Sequence, residues 1–393
     1  VQPPDGNHLE ESGGDGGMKW EKVKLGNVTD SCLGKMLDQN KNKGDYQPYL
    51  ANVNVRWGEF DLEDLPLMKF EESEQERYEL KYGDLVICEG GEPGRCAIWK
   101  EQIPNMKIQK ALHRVRVHDC LDYRYLFYWF LLAGKTGELD QYFTGATIKH
   151  MPGQKLKEVV IDKPPLEIQH RIADILSAYD DLIENNQKQI KLLKEAAQRL
   201  YKEWFVDLHF PGHENTKIVD GVPEGWRRGL LKELISVNYG KDHKKVPDDG
   251  NIPVYGSGGL MRKCNKSLFS GEAVLIPRKG SLNNIMYVDE TFWTVDTMFY
   301  ATMKQPHTAV FVYFFVKAFD MYSMNIGAAV PSMTTKILDA MDVVIPDKET
   351  LEKFDKYAKV YFNKIKTLQG QNEQLKTARD LLLPKLMSGE VEV

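Results

Sequence analysis

Two stretches of the chain, residues 172–204 and 354–386, repeat apolar side chains at every third or fourth position. This 4-3-4-3 spacing is the heptad seam typical of a coiled-coil helix. The first seam consists of Ile172, Leu176, Tyr179, Ile183, Asn186, Ile190, Leu193, Ala197, Leu200 and Trp204. The second consists of Phe354, Ala358, Tyr361, Ile365, Leu368, Asn372, Leu375, Arg379, Leu382 and Leu386. Every member of the second seam follows its counterpart by 182 positions, so the pattern predicts one long helix that is duplicated within the chain.

The segments that precede the two seams also correspond to each other. Each contains a tryptophan near its start, a turn followed by an apolar run, a glycine-rich loop, an aromatic run, a Gly-Ala segment and a final apolar strand. The matched ranges are 20–25 with 226–231, 83–87 with 271–275, 89–95 with 277–281, 126–130 with 311–315, 145–147 with 327–329, and 159–161 with 343–345. The offset falls from 206 at the tryptophans to 182 at the helices. The order domain, helix, domain, helix therefore occurs as two tandem copies.

This organisation predicts an α+β fold in which two tandem globular α/β domains are separated by two long helices. We expect the helices to pair as an antiparallel coiled coil, so that the two copies are related by a pseudo-twofold axis. The predicted boundaries are 1–17 for a disordered leader or an expression remnant, 18–163 for the first domain, 164–207 for the first spacer helix, 208–225 for a linker, 226–346 for the second domain, 347–388 for the second spacer helix and 389–393 for a tail.

Prolines mark the predicted helix ends. Pro164 and Pro165 stand before the first long helix, where proline is a helix-entry signal. The second long helix lacks such a pair at its start, so we expect it to begin less sharply. Pro384 falls in the last turn of the second helix, and it predicts that the helix kinks or ends there.

Composition places the chain among ordinary globular proteins, because 42% of its 393 residues are hydrophobic and 28% are charged. The formal net charge of -5 argues mildly against a strongly basic nucleic-acid binder, but a local basic face can lie on an acidic protein. Five cysteines without a C-x-x-C pair are typical of free thiols in a reducing cytosol. No apolar run is long enough to cross a bilayer, so we predict a cytoplasmic protein without a membrane partner.

The sequence offers no convincing catalytic motif. Residues 134–136 resemble the end of a phosphate-binding loop, but that loop needs a glycine where this chain has Trp129. Residues 162–165 resemble the Asp-Pro-Pro-aromatic signature of amino-methyltransferases, but a lysine interrupts them and no aromatic residue follows. His209 and His213 are separated by a proline and a glycine, which prevents them from sharing one helical face as metal ligands. We therefore predict a non-catalytic chain without a cofactor or a metal site.

What remains are loops that mix glycine with basic, hydroxyl and aromatic side chains. Glycine allows the backbone to approach a partner closely, and Arg and Lys bind phosphates or guanine edges. For any single residue, a solvated hairpin loop is an equally good interpretation. The candidate DNA-binding residues are Arg56, Arg95, Lys107, Lys110, Lys149, Tyr255, Ser257, Arg262, Lys263, Arg278, Lys279 and Ser281.

Together these features resemble the specificity (S) subunits of type I DNA restriction–modification enzymes. The match rests on the order of its segments and on the duplicated plan over residues 18–393. The segments that carry it are PYLANV at 48–53, GDLVI at 83–87 with the glycine-rich loop after it, PPLEIQ at 164–169, WFVD at 204–207, IPVYGSGG at 252–259, TVDT at 294–297 and LLPKLMSGE at 382–390.

The resemblance implies two target-recognition domains, each of which reads one half of a bipartite sequence in double-stranded DNA. It also implies two methylating (M) subunits and further restriction (R) subunits as partners. Adenine-N6 methylation with S-adenosylmethionine, and DNA translocation with ATP and magnesium, would belong to those partners. Helices about 50 Å long would match a spacer of roughly 14 base pairs between the two half-sites.

Two other functions fit parts of the sequence. The first is a coiled-coil scaffold with paired ligand-binding domains and no DNA binding, which a salt-dependent DNA complex would argue against. The second is a self-sufficient methyltransferase. The missing cofactor loop and the interrupted Asp-Pro-Pro segment argue against this second function.

The two seams predict a specific antiparallel register. If Ile172 lies beside Leu386, then Asn186 falls opposite Asn372. Two facing amides satisfy each other, whereas a single Asn facing an apolar residue costs about 1–3 kcal/mol. The same register sets Trp204 beside Phe354, Leu193 beside Ile365 and Tyr179 beside Arg379.

We predict that Asn186→Leu and Asn372→Leu are coupled. Each single substitution leaves one amide opposite an apolar side chain and should lower the free energy of unfolding. The double variant should recover most of the loss, because both amides are then removed. A double-mutant cycle measured by denaturant unfolding tests this, and strictly additive effects would show that the two side chains do not interact.

Overall fold

The computed structural model describes residues 20–38, 42–324 and 332–393. The predicted leader and the second Gly-Ala segment at 327–329 lie outside these ranges. The chain divides into two compact units. The first unit comprises Val1–Asn185 and Gln371–Val393, and the second comprises Asn186–Gly370. Each unit therefore contains one predicted globular domain together with parts of both predicted long helices.

The first unit combines short strands with four short helices, the start of one long helix and the end of the other, α8 (Lys348–Met387). Its strands are β1 (Glu21–Lys24), β2 (Thr29–Leu33), β3 (Asp45–Leu50), β4 (Leu67–Phe70), β5 (Leu85–Cys88), β6 (Cys96–Ile98), β7 (Lys107–Ile108), β8 (Leu112–Val117) and β9 (Val160–Lys163). Its helices are α1 (Leu25–Val28), α2 (Gln75–Tyr78), α3 (Tyr123–Thr136), α4 (Gly153–Glu158) and the first half of α5 (Leu166–Phe205). Strands β2, β8, β5 and β6 form an antiparallel sheet in that order. Strands β4, β3 and β7 form a second sheet, in which β4 and β3 are antiparallel and β3 and β7 are parallel, and β1 pairs with β9.

Helix α3 forms the centre of the first unit's core. Its aromatic run, residues 126–130, is buried. Asp122 precedes the helix, and its carboxylate accepts a hydrogen bond from the backbone N–H of Tyr125 at 3.0 Å, which satisfies one of the free donors of the first turn. The same apolar cluster includes Ile172 and Leu386, so both long helices contribute to this core.

The second unit is built around one larger sheet. Its strands are β10 (Ile218–Val219), β11 (Val222–Pro223), β12 (Arg227–Leu230), β13 (Ile235–Tyr239), β14 (Ile252–Gly256), β15 (Gly259–Cys264), β16 (Phe269–Pro277), β17 (Met286–Thr294), β18 (Met298–Met303) and β19 (Asp342–Ile345). Its helices are α6 (Ala309–Lys317), α7 (Thr335–Asp339) and most of α8 (Lys348–Met387). Within the described residues, six strands form a sheet in the order β13, β18, β16, β17, β14, β15, and β12 pairs with β19. Helix α6, which carries the second aromatic run, is buried in the same core as β16 and β18.

A pair of backbone hydrogen bonds closes one end of the first unit's main sheet. The N–H of Gly34, directly after β2, donates to the carbonyl oxygen of Leu112 at 2.9 Å. The N–H of Lys35 donates to the carbonyl oxygen of Ile108 at 3.0 Å. These bonds tie the end of β2 to the turn between β7 and β8.

The second unit repeats this pair of bonds. The N–H of Gly240, directly after β13, donates to the carbonyl oxygen of Met298 at 3.0 Å, and the N–H of Lys241 donates to that of Thr294 at 2.9 Å. The donors follow their first-unit counterparts by 206 positions and the acceptors by 186. The parallel strand pairs β3–β7 and β14–β17 also correspond. The two domains are thus copies of one plan at the level of individual hydrogen bonds.

Both of these contacts require glycine, because the two backbone segments approach too closely for a side chain. A Cβ atom at Gly34 would lie 2.5 Å from the carbonyl group of Gln109. A Cβ atom at Gly240 would lie 2.0 Å from the carbonyl oxygen of Val295. Neither carbonyl can move without breaking the turn to which it belongs.

The two predicted long helices are α5 and α8, each of 40 residues. Helix α5 spans Leu166–Phe205, where the prediction was 164–207. Helix α8 spans Lys348–Met387, where the prediction was 347–388. All twenty predicted seam residues are buried or half-buried. They include Asn186 and Asn372, whose exposed fractions are 8% and 6%.

The start of α8 differs from the expectation. It begins sharply, because the carboxylate of Asp347 accepts hydrogen bonds from the backbone N–H of Thr350 at 2.9 Å and from the indole of Trp226 at 3.0 Å. Partial burial opposes ionisation of Asp347, but the bonds from Thr350 and Trp226 outweigh it and hold its pKa below the ordinary value. Pro384 lies in the last turn of the helix, as predicted, and the helix ends at Met387.

In the second unit, side chains of α5 and α8 meet in antiparallel order. The ring centroids of Trp204 and Phe354 lie 5.8 Å apart. Ile190, earlier on α5, shares a small apolar cluster with Leu368, later on α8. Both pairs fit the register predicted from the seams.

In the first unit, the same two helices also contact each other. Ile172 and Leu386 belong to one core cluster, as the register requires. The predicted partner of Arg379 was Tyr179, but the guanidinium bonds instead to the carboxylate of Asp180, one residue further along α5. An ion pair satisfies a half-buried guanidinium better than a phenol does, because it supplies the opposite charge.

We predict that Gly240→Ala destabilises the second unit by about 1–3 kcal/mol, because the added methyl group overlaps a carbonyl oxygen. Gly258→Ala is the matched control, since a Cβ atom at Gly258 would meet nothing within 4 Å. The control should remain within about 0.5 kcal/mol of the unmodified chain. Denaturant unfolding measures both, and equal stability of the two variants would contradict the close approach.

Candidate nucleic-acid interface

The turn at residues 294–297, between β17 and β18, holds the ends of three other strands of its sheet. Its backbone bonds to Tyr255 at the end of β14 at 3.0 Å and to Arg278 after β16 at 2.8 Å, in addition to Lys241 after β13. The loops that follow these strands therefore meet at one edge of the second unit. We call residues 240–246, 256–259 and 278–284 the second-unit loop edge.

Four predicted DNA contacts lie on this edge. The guanidinium of Arg278 lies over the ring of Tyr239, 5.5 Å from its centroid. Lys279 and Ser281 are exposed. The carbonyl oxygen of Ser257 accepts a hydrogen bond at 2.9 Å from the loop that carries Ser281. The fold thus gathers a stacked guanidinium, an ammonium and two hydroxyl groups, which is a set of donors suited to phosphate oxygens and base edges.

Two other predicted contacts in this unit already have protein partners. The hydroxyl of Tyr255 donates to the carboxylate of Glu290, and burial raises the pKa of this tyrosine above its ordinary value. The guanidinium of Arg262 donates to the carbonyl oxygen and to a ring nitrogen of His243. Both side chains hold neighbouring segments in place. Lys263, the next residue after Arg262, is exposed.

The first unit carries its predicted contacts on the loops after β3 and β5 and on the turn before β8. Arg56 is exposed, and Lys110 is half-buried on the turn. Arg95 is ion-paired with Glu92 at 3.0 Å and donates to the carbonyl oxygen of Asn52 at 3.1 Å. This edge is therefore less cationic than its second-unit counterpart, because its best-placed guanidinium is already neutralised.

Lys107 does not fit its predicted role as a DNA contact. It lies on β7, and its side chain is fully buried, with an exposed fraction of 0%. Its ammonium lies 2.8 Å from the carboxylate of Glu79. A buried ammonium requires such a partner, since leaving it unpaired is costly. Lys107 therefore stabilises the fold of the first unit, and a bound DNA would not reach it.

A groove of about 610 Å³ opens beside the glycine-rich loop of the first unit. Its lining includes Trp57, Glu92, Phe143 and Lys149. The indole N–H of Trp57 donates to the carboxylate of Glu92 at 2.7 Å. The ammonium of Lys149 lies 5.6 Å from the ring centroid of Phe143 and 3.4 Å from the carboxylate of Asp140. Lys149, a predicted DNA contact, is thus exposed at the rim of an aromatic groove.

The segment that resembles a phosphate-binding loop has a different role. Residues 134–136 are the last residues of α3. A Cβ atom at Gly134 would lie 2.6 Å from the indole ring of Trp57. The glycine therefore makes room for a tryptophan, and it does not form a phosphate cradle.

Sequence reasoning missed two residues that organise these edges. Asn52 donates to the carbonyl oxygen of Gly90 at 2.9 Å and accepts from Arg95, so it joins the loops after β3 and β5. Asn52 belongs to the PYLANV segment at 48–53 that carries the family resemblance, and this could have marked it as important. Tyr239, which stacks under Arg278, gave no such signal, because it stands alone at the end of a strand.

No metal site is visible in the ranges 20–38, 42–324 and 332–393, where no three potential ligands are grouped to hold an ion. The rings of His209 and His213 lie 5.2 Å apart. All five cysteines are free, and burial raises the pKa of the Cys88 thiol to about 11, so it is protonated at neutral pH. Across the described chain, every helix is either too short or too polar to span a lipid bilayer.

Comparison with known proteins gives consistent results. The sequence profile of the family described as "Type I restriction modification DNA specificity domain" matches residues 18–195 and 223–377. The MjaIX specificity subunit of a type I restriction enzyme from Methanocaldococcus jannaschii is 27% identical over 352 residues, which are 79% of this chain and 78% of that protein. The MjaVIII specificity subunit from the same organism is 24% identical and covers 95% of this chain and 93% of its own length.

A solved structure shares the fold. The S subunit of a type I restriction–modification system from M. genitalium superposes with a TM-score of 0.56 at 19% identity. The match covers 95% of this chain and 97% of that one. Both units therefore take part in the shared architecture.

We predict that Glu79→Gln destabilises the first unit by roughly 1–3 kcal/mol, because it leaves the ammonium of Lys107 buried without an opposite charge. Adding Lys107→Met should recover part of this loss, since no charge then remains to be solvated. Thermal unfolding of the two variants measures the difference. A Glu79→Gln variant as stable as the unmodified chain would show that the pair is not structural.

Proposed function

The chain belongs to the type I restriction modification DNA specificity family, and we propose that it is the non-catalytic subunit that selects the DNA sequence for a type I restriction–modification enzyme. The double match to the family profile carries this proposal. Each of the two matched segments contains one of the two equivalent sheet domains. A duplicated recognition domain suits a bipartite target, in which each copy reads one half-site.

The two domains share a scaffold and differ in their loops. Their backbone bonds at Gly34 and Gly240 are equivalent, whereas the side chains on the adjoining loops are not. A shared scaffold with different loops supports two readers of different sequences. We propose that the reading side chains lie on these loops, because they are the segments free to vary without disturbing the sheets.

The proposed DNA contacts are those predicted residues that lie exposed or half-buried on the loops, together with Lys263, which is exposed on strand β15. Tyr255 and Arg262 are left out of this set because they hold protein segments, and Lys107 is left out because it is buried. The remaining set is Arg56, Arg95, Lys110 and Lys149 in the first unit, and Ser257, Lys263, Arg278, Lys279 and Ser281 in the second. Within this set, Arg95 would need to exchange its bond to Glu92 for one to DNA.

We further propose that α5 and α8 pair as an antiparallel coiled coil that serves as the spacer. The contacts inside each unit support this, since Ile172 with Leu386 and Trp204 with Phe354 follow one register. The duplicated plan would present similar surfaces to two copies of one partner. In this arrangement two methylating subunits bind the chain, and restriction subunits join them.

Catalysis is assigned to these partners. Methyl transfer from S-adenosylmethionine and translocation driven by ATP and magnesium would take place on them, in the cytoplasm. The alternative of a coiled-coil scaffold without DNA has no support among the similar proteins, whose names describe restriction-enzyme specificity subunits. A self-sufficient methyltransferase is also not favoured, because Lys163 interrupts the Asp-Pro-Pro segment at 162–165 and no aromatic residue follows it.

The division of labour gives a testable prediction. Residues 18–160 are replaced by the corresponding part of a relative, and the chimera is produced in cells together with its methylating partner. Sequencing of methylated adenines should show that one half of the recognised sequence changes. The other half and the spacer should persist, because the second domain and the helices are unaltered.

The reciprocal chimera, in which residues 226–341 are replaced, is the matched control and should change the opposite half-site. A change of both halves in either chimera would show that the domains are not independent readers. Loss of all methylation with a soluble complex present would argue against sequence selection by this chain.

A further inference from the structure

We propose that the segment 241–245 of the second-unit loop edge is a phosphate-binding loop for duplex DNA, and that Arg262 positions this loop without itself contacting the DNA. The inference rests on the proposed function and adds a site to it. The cations that it assigns are Lys241, Lys244 and Lys245. Three observations support it: the burial of Lys35, which is equivalent to Lys241 in the first unit, the hydrogen bonds that shape the loop, and the exposure of the loop's lysines.

Lys241 and Lys35 occupy equivalent positions but differ in their surroundings. Each donates its backbone N–H to the turn at the end of its sheet. The side chain of Lys35 is 3% exposed, and its ammonium bonds to the carboxylate of Glu74 and to the carbonyl oxygen of Lys69. Lys241 is exposed. At this position of the duplicated scaffold, the ammonium group is buried in the first unit and the lysine is exposed to solvent in the second.

Arg262 shapes the loop that follows. Its guanidinium donates to the carbonyl oxygen of His243 and, at 2.9 Å, to that of Val246. A third bond, at 3.2 Å, reaches the ring nitrogen Nδ1 of His243. A planar guanidinium with several fixed donors holds carbonyl groups in a defined arrangement, which a lysine cannot do. With these donors engaged, Arg262 is a poor candidate for a phosphate contact of its own.

Two lysines of this loop, Lys244 and Lys245, are exposed to solvent. The carboxylate of Asp242 accepts a hydrogen bond from the backbone N–H of Lys244 at 3.0 Å, and this bond lowers the pKa of Asp242. The carboxylate of Asp242 is therefore bonded to the backbone of its own loop. Lys244 and Lys245 are consecutive in the chain, and both are exposed. The segment 241–245 thus carries three exposed lysines, Lys241, Lys244 and Lys245.

The chemistry of these groups favours phosphate over base edges. Ammonium groups on long flexible side chains act as point charges and give little geometric selectivity. The loop begins next to Arg278, because the backbones of Lys241 and Arg278 bond to the same turn at residues 294–297. The loop would thus supply sequence-independent attraction next to the side chains proposed to read the bases.

The test uses the full chain in complex with its methylating partner and a fluorescein-labelled duplex of mixed sequence. Binding is followed by fluorescence anisotropy over a range of salt concentrations. Lys244→Gln with Lys245→Gln should lower the slope of log affinity against log salt by about 1.8, since each phosphate contact contributes about 0.9. Affinity should fall roughly tenfold at 50 mM salt and hardly change at 200 mM, because a slope change of about 1.8 over a fourfold range of salt amounts to about twelvefold.

The matched control is Lys217→Gln with Lys232→Gln, which removes two exposed lysines of the same unit from outside the loop edge. Its binding and salt slope should equal those of the unmodified complex. If the loop variant behaves like this control while the unmodified complex binds DNA, the phosphate loop is wrong and the proposed function stands. If the unmodified complex forms but binds no duplex at any salt concentration, the proposed function itself fails.

Arg262→Lys separates positioning from contact. It keeps the charge but loses the forked donation, so affinity should fall by about threefold and the amide of Val246 should exchange hydrogen faster. In the background of Lys244→Gln and Lys245→Gln, Arg262→Lys should cause no further loss, because it acts through those lysines. An equal loss in both backgrounds, or no loss in either, would overturn the positioning role.

Discussion

The close contact between a glycine and the turn at the sheet end is the constraint on which both domains depend. At Gly34 and at Gly240 the chain leaves its first main strand and crosses a turn at a distance that admits no side chain. The turn in each unit also holds the parallel strand pair and the strand before the glycine-rich loop. Because one backbone contact fixes several strand ends, the loops beyond it can differ without loss of the fold. The backbone contact that maintains the fold is thus distinct from the loop side chains that are proposed to recognise DNA.

Much of the architecture was predictable because it depends on periodicity. The seam positions follow from the 3.5-residue repeat of apolar side chains, and none of them is exposed. The helix ends were harder to predict, since they depend on single contacts. The cap by Asp347 includes a bond from Trp226, which is 121 positions earlier in the chain and cannot be inferred from local sequence.

The candidate interface was less predictable, for a physical reason. Whether a lysine or an arginine reaches solvent depends on which acid or carbonyl group lies near it after folding. Lys107 and Arg262 looked like their neighbours Lys110 and Lys263 in the sequence, yet an acid from another loop neutralises the first and carbonyl groups engage the second. Charge and glycine content therefore located the loops, but they could not distinguish a residue that shapes a loop from one that projects from it.

The discontinuity of the first unit bears on how the chain folds during synthesis. Its core includes Leu386, the indole of Trp20 donates to the carbonyl oxygen of Met387 at 3.2 Å, and Arg171 donates to that of Val393 at 3.1 Å. The second unit, Asn186–Gly370, is continuous. Domains usually fold in the order in which the ribosome releases them. Here residues 382–393 complete the core of the first unit, whereas the second unit needs none of them, so during synthesis all residues of the second unit are present before those of the first.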